Sequence, residues 1–207
     1  KKRPSKRKTK TDRVLSLAKS NRKWIKQLTH YAENDQVLSG TTSTTPVATH
    51  LAPTGTGNDT TITSIQVRGV LKRSNTSSIS DGYRVDLVLD RTPSKVAVTM
   101  ANLYDDATPT LLAFKKFDNK ERFKILKSAW GYFGKGFTSA LGEPPSTRKI
   151  NWYVKLNTKV ITEVPGTFSI GQCQKNAFYL IVWTDVGSNQ PSYAFETRVV
   201  TKDDAAV

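Results

Sequence analysis

Cysteine and histidine are scarce in this 207-residue chain: Cys173 is the sole cysteine, and His30 and His50 are the only histidines. One cysteine excludes a disulfide framework, and so few ligands exclude a zinc cluster built from Cys and His. That usage fits a reducing compartment. No apolar run reaches the length of about 18 residues that a membrane-spanning helix needs, so stable membrane insertion is not expected. The first ten residues hold seven Lys or Arg with no apolar run behind them, which does not read as a secretory leader. The chain opens without Met, leaving room for residues upstream of Lys1. Nothing in the residue pattern calls for a cofactor.

What the chain has in excess is positive charge, unevenly placed. Lys and Arg number 32 against 17 Asp and Glu, a formal charge of +15. Residues 1–30 contain Lys1, Lys2, Arg3, Lys6, Arg7, Lys8, Lys10, Arg13, Lys19, Arg22, Lys23 and Lys26, against the single acid Asp12, and so carry +11. The remaining 20 cations and 16 acids leave residues 31–207 at +4. A near-neutral body behind a concentrated cationic arm reads as a folded domain with a polyanion-binding tail. The competing reading is a solvated, solubilising tail. Lys1-Lys-Arg-Pro-Ser-Lys-Arg-Lys8 also has the composition of a nuclear-localisation signal, a string that any nucleic-acid-binding tail produces.

The second half of the arm has helical periodicity. Val14, Leu17, Ala18, Asn21, Trp24, Ile25, Leu28 and Tyr31 recur at steps of three or four, Thr11 can cap the start, and Asp12 suits the first turn. The spacing predicts a basic amphipathic helix over roughly 12–32, closing an arm of residues 1–33. It can pack its stripe on the body or on a second copy while its basic side meets nucleic acid. It can also lie on an anionic membrane, or simply pack as a structural helix. Residues 34–60 are rich in Ser, Thr, Gly and Pro with few large apolar residues, and are expected to be a linker. Gly55 and Gly57 lack the Gly-Lys-Ser/Thr of a phosphate loop.

Residues 61–207 change period to two. Ile62, Ile65, Val67 and Val70 predict a strand over 61–72 with a slip at Thr63-Ser64. Tyr83, Val85, Leu87 and Leu89 alternate with Arg84, Asp86, Val88 and Asp90, predicting a half-buried strand over 82–91. Val96, Val98 and Met100 suggest a short third strand, and Phe123, Ile125, Ala129 and Phe133 a strand with a slip or bulge. Ile150, Trp152, Val154 and Leu156 alternate cleanly, and Val160, Ile161 and Val164 suggest another short strand ending at Pro165-Gly166. Ala177-Phe-Tyr-Leu-Ile-Val-Trp183 is a central buried strand, and Tyr193, Phe195, Thr197 and Val199 mark the last. Seven or eight strands, without a βαβ rhythm, predict an all-β, antiparallel jelly-roll sandwich of eight strands. An immunoglobulin-like sandwich is the alternative, but its Cys pair is absent.

This layout resembles the coat proteins of small icosahedral viruses: the capsid proteins of circular Rep-encoding single-stranded DNA viruses, and satellite RNA virus coats such as that of satellite tobacco necrosis virus. Three segments carry the resemblance. Gly57-Asn-Asp-Thr-Thr-Ile-Thr-Ser-Ile-Gln-Val-Arg-Gly69 looks like the opening of the first jelly-roll strand. Asp118-Asn-Lys-Glu-Arg-Phe-Lys-Ile-Leu-Lys127 is similar to the start of a mid-barrel strand. The third is the Tyr83–Leu89 strand running into Asp90-Arg91 before a Pro-containing loop. The resemblance implies self-assembly into a closed shell of about 60 copies, with the arms inward on the genome.

Other candidates are weaker. Lys115, Lys116, Lys120, Arg122, Lys124 and Lys127 form a second basic cluster, read first as a solvated face partnered by Asp118 and Glu121; on a strand, Arg122 and Lys124 would share one side. Arg68, Lys72, Arg73 and Arg84 are candidates to line a shell interior. Asp105-Asp106, Glu143 and Asp203-Asp204 are calcium candidates outweighed by their reading as exposed loop carboxylates. Gly131-Tyr-Phe-Gly-Lys-Gly136 reads as a turn, Cys173 as a small buried side chain, and neither histidine sits in a recognisable catalytic setting. The sequence thus predicts a non-enzymatic capsid protein, located in the virion and in the host nucleus during assembly. It would package a single-stranded genome, DNA favoured over RNA, and engage nuclear import machinery. The alternatives are a non-viral nucleic-acid-binding β-sandwich and a jelly-roll carbohydrate-binding lectin.

Overall fold

The computed structural model describes residues 31–45, 47–74, 81–105, 111, 113–133, 146–185 and 189–202. The chain divides at His30/Tyr31. Among the described residues, nine strands are formed: β1 (Tyr31–Thr41), β2 (Val47–His50), β3 (Asp59–Lys72), β4 (Asp81–Asp90), β5 (Phe123–Phe133), β6 (Thr147–Thr162), β7 (Cys173–Lys175), β8 (Ala177–Trp183) and β9 (Ser192–Lys202). Among the described residues between β4 and β5 lies one short helix, α1 (Met100–Leu103).

The strands form two antiparallel sheets in the orders β1-β9-β3-β6-β7 and β2-β8-β4-β5. The partners nest: β1 pairs with β9, β2 with β8, β3 with β6 and β4 with β5. One long antiparallel ribbon, rolled so that alternate pairs fall on opposite sheets, produces that order, which is the topology of a jelly roll. β7 is an addition to the eight, held at the rim by Ile161 and Thr162 alone.

Period-two alternation explains the core between the sheets. Ile62, Ile65, Val67 and Leu71 of β3 and Phe195 and Val199 of β9 face Val85 and Leu87 of β4 and Leu180 and Val182 of β8, all almost fully buried. Each contributes about 1.5–3 kcal/mol by leaving water. The slip read at Thr63-Ser64 is a bulge: the register of β3 shifts between Ile62 and Ser64 against both neighbours.

Several expectations are corrected. The helix predicted over 12–32 does not include Tyr31 and Ala32, which open β1; residues 12–30 lie outside the described residues. The stretch 34–60 is not a plain linker, because it supplies most of β1 and all of β2. Both are rim strands, and β1 alternates between half-buried and exposed side chains from Ala32 to Ser39, so Ser, Thr and Asn suffice there. The 57–69 segment therefore leads into the third strand rather than the first. Val96 and Val98 form no strand; Val98 and Met100 are buried in the β4–β5 connection, while Val96 is exposed. Finally, 150–162 is one strand, β6, with no break before Val160.

β4 is buried along its whole length, not half-buried. Its inward residues meet the core. Its outward residues are roofed by the β4–β5 connection, whose Met100, Leu103, Tyr104, Leu111 and Ala113 are buried. The two ends of that connection are tied together: Arg122 donates from Nε and Nη2 to the two Asp90 carboxylate oxygens at 3.0 and 2.9 Å, and Arg91 N–H donates to the Arg122 carbonyl at 2.9 Å.

Candidate functional site

The twelve arm cations, Lys1 to Lys26, and His30 lie outside the described residues. The candidates that can be placed are those on the β-domain, and the fold sorts them into buried and exposed sets.

Arg73 and Arg84 do not line a surface. Arg73 is buried and pairs with buried Asp81 at 3.5 Å. Arg84 points outward from β4 but lies under the β4–β5 connection. Its Nε donates to Asp86 Oδ2 at 3.1 Å and its Nη1 to the Leu111 carbonyl at 2.8 Å. Its guanidinium lies 4.4 Å from the Tyr104 ring centroid and 5.2 Å from that of Trp183. Tyr104 donates its hydroxyl proton to Asp86 Oδ2 at 2.5 Å. Burial pushes the Asp86 carboxyl upward against the pull of Arg84, and pushes the Tyr104 hydroxyl up with Asp86 adding to it. This cluster fastens the connection to the sheet. Sequence alternation alone made these polar residues look solvent-facing.

The second basic cluster is split. Arg122 precedes β5, is drawn onto Asp90 and also donates to Ser94 at 3.0 Å, so it does not share a strand face with Lys124. Lys115, Lys116 and Lys120 sit on the connection with Phe114 and Phe117, which are 83% and 71% exposed. Lys120 lies 3.8 Å from the Phe117 ring centroid. Among the described residues, no ion pair joins these lysines to Asp118 or Glu121. Gly131, Tyr132 and Phe133, read as the start of a turn, are the last residues of β5.

Arg68 and Lys72 are exposed on the outward side of β3. There they join residues the sequence did not single out. Asn151 stands opposite Arg68, Tyr153 opposite Gln66, Lys155 opposite Ser64 and Lys149 opposite Val70. Lys149, Asn151, Tyr153 and Lys155 are all exposed. The polar half of the β6 alternation was the signal available for them. Toward β1 the same face is acidic: Arg198 of β9 binds Asp35 through two hydrogen bonds of 2.8 Å and pairs with Glu33 at 3.3 Å. The Arg198 guanidinium holds the Asp35 carboxyl below its ordinary value.

The fold also brings together His50 and Cys173, with His50 Nε2 and Cys173 Sγ 3.9 Å apart and Tyr179 stacked obliquely on His50 at 5.6 Å. Burial lowers His50 to about 4 and raises the Cys173 thiol to about 11. A buried, protonated thiol beside a neutral imidazole packs rather than attacks. Among the described residues, no group of three or more His, Cys, Asp or Glu side chains is arranged to hold a metal ion.

No family model matches the chain, and no curated protein matches it. Among solved structures, it is similar to that of infectious bursal disease virus, Gx strain, at 9% identity and TM-score 0.31, over 86% of this chain and 34% of that one. The T13 particle of the same virus gives 13% and 0.28, over 84% and 31%. The Gt strain gives 10% and 0.27, over 86% and 33%. The chain spans about a third of the length of these virus-particle chains. Likeness at this level carries no argument, and the jelly-roll assignment rests on strand order.

Proposed function

We propose that this protein is a viral capsid protein that assembles through its jelly roll into a small icosahedral shell of T=1 type and packages a single-stranded genome with residues 1–30. The observation that carries this reading is the segregation of charge: +11 on the first thirty residues and +4 on the body that follows. A body so close to neutral can meet copies of itself without strong repulsion, while the arm condenses polyphosphate. About 60 arms supply about 660 positive charges, of the order needed to neutralise much of a genome of about a thousand nucleotides, with counterion release driving binding. Contacts of this kind go to phosphates and do not read sequence, so packaging by the arm is expected to be weakly specific.

Exposed apolar side chains supply material for contacts between copies. Val37 lies on β1, and Trp130 and Tyr132 lie on β5, the rim strands of the two sheets; Phe114 and Phe117 lie on the β4–β5 connection. Rim strands with unpaired backbone groups and apolar side chains are association surfaces. DNA is the favoured cargo, because the Lys1–Lys8 string suits a nuclear step and contact with the import machinery.

Gel filtration and electron microscopy of the purified full chain test this. At 23.0 kDa per chain, a sixty-copy shell elutes near 1.4 MDa and appears as uniform spheres whose contents are typed with DNase and RNase. A species no larger than a tetramer under every buffer tried overturns the shell and leaves a nucleic-acid-binding β-sandwich.

A further inference from the structure

Resting on the packaging reading, we infer that the outward face of β3 and β6 is a second nucleic-acid site, on which Tyr153 stacks a base of a single strand while Lys149, Lys155, Lys72 and Arg68 hold its phosphates.

Tyr153 is 59% exposed on the outward side of β6. Its flanks are polar and cationic. Asn151 and Lys155 are its same-face neighbours along β6, and Gln66 lies across from it on β3. Successive same-face residues on a strand stand about 6.8 Å apart, and neighbouring strands about 4.8 Å apart. Lys149 to Lys155 therefore spans about 20 Å, with Arg68 and Lys72 one strand away. Among the described residues, no ion pair neutralises Lys72, Lys149 or Lys155. The nearest acid across the ladder is Glu196, which stands opposite Arg68.

An exposed ring among uncompensated cations on a flat surface has the composition of a single-strand platform: the ring accepts any base, and the cations follow the backbone. Among the described residues, β7 pairs with β6 only at Ile161 and Thr162, so β6 is the rim of the sheet along this stretch. β1 of the same sheet begins at Tyr31, in the row that also holds Lys202, Thr61 and Lys159.

Oligothymidine carrying 5-bromodeoxyuridine and oligouridine carrying 5-bromouridine are irradiated with the full chain, and adducts are mapped by mass spectrometry. Adducts are expected on Tyr153 in addition to residues 1–30. Affinity is expected to fall about fivefold or more in Y153S and to be retained in Y153F, which keeps the ring. In K149A/K155A, the slope of log K against log salt is expected to become shallower by about 1.4. Adducts with either polymer support the site, and unequal yields report its preference between DNA and RNA. Adducts confined to residues 1–30, with an unchanged salt slope and Y153S binding as the wild type does, overturn it. So does carbodiimide cross-linking of Lys149 or Lys155 to a second copy without any nucleotide adduct. Filled shells lacking the Tyr153 adduct sink this inference alone, whereas absence of shells sinks the packaging reading.

Discussion

Replacing Arg84 by Met tests the buried pair that fastens the β4–β5 connection to its sheet. The guanidinium and the Asp86 carboxylate are 3.1 Å apart, with side-chain exposures of 7% and 0%. At an effective dielectric constant of about 20, their gross attraction is about 5 kcal/mol. Desolvating the two ions costs several kcal/mol each, so the intact pair contributes little net stability. Removing one partner is different, because the other stays buried and uncompensated. R84M is therefore expected to cost about 3–5 kcal/mol, a large share of a domain's total stability. R84M/D86L should return most of that loss. It leaves the Tyr104 hydroxyl without its acceptor, worth about 1–3 kcal/mol, which adding Y104F removes. The assay is urea unfolding followed by circular dichroism and tryptophan fluorescence, on free subunits at one concentration. An R84M cost below about 0.5 kcal/mol, or a double variant as damaged as the sum of the two single ones, refutes the argument.

His50 provides a pH test. Its folded value of about 4 lies below the ordinary histidine value of 6.5, so the unfolded chain takes up the proton first. The stability from a neutral buried imidazole is complete above about pH 6.5 and is lost as pH falls towards 4, about 3 kcal/mol in all. The unfolding free-energy difference between wild type and H50Q should narrow over that window, and a flat difference rejects it. Gly69 tests the packing of the other sheet: a Cβ there would sit 2.2 Å from the Ala194 carbonyl oxygen and 2.5 Å from Phe195 Cδ1. G69A should lower stability by about 1–3 kcal/mol, because backbone cannot rotate aside, and an unchanged urea midpoint counts against that.

The strands legible in the sequence are those with one apolar side or none exposed. β3, β8 and β9 show through the spacing of Ile62, Ile65 and Val67, the unbroken run 177–183, and Phe195 with Val199. Even the bulge after Ile62 shows as a slip in the alternation. β1 and β2 were not legible, because a rim strand needs little apolar surface and its Ser, Thr and Gly match those of a loop. The false strand at Val96–Met100 has the opposite cause. A connection that lays alternate side chains on a sheet imitates period two without a ladder.

The amino-acid order by itself determined the β class, the split between a cationic leader and a near-neutral body, and the main core residues, because charge and two-residue periodicity are local properties. Only the tertiary structure decided which charges are free. Arg73, Arg84 and Arg122 are consumed by acids that strand pairing and the β4–β5 roof bring to them, whereas among the described residues no acid pairs with Lys149 or Lys155 on the rim strand where register places them. Electrostatic compensation depends on distances across the chain, and those exist only once the ribbon has rolled up.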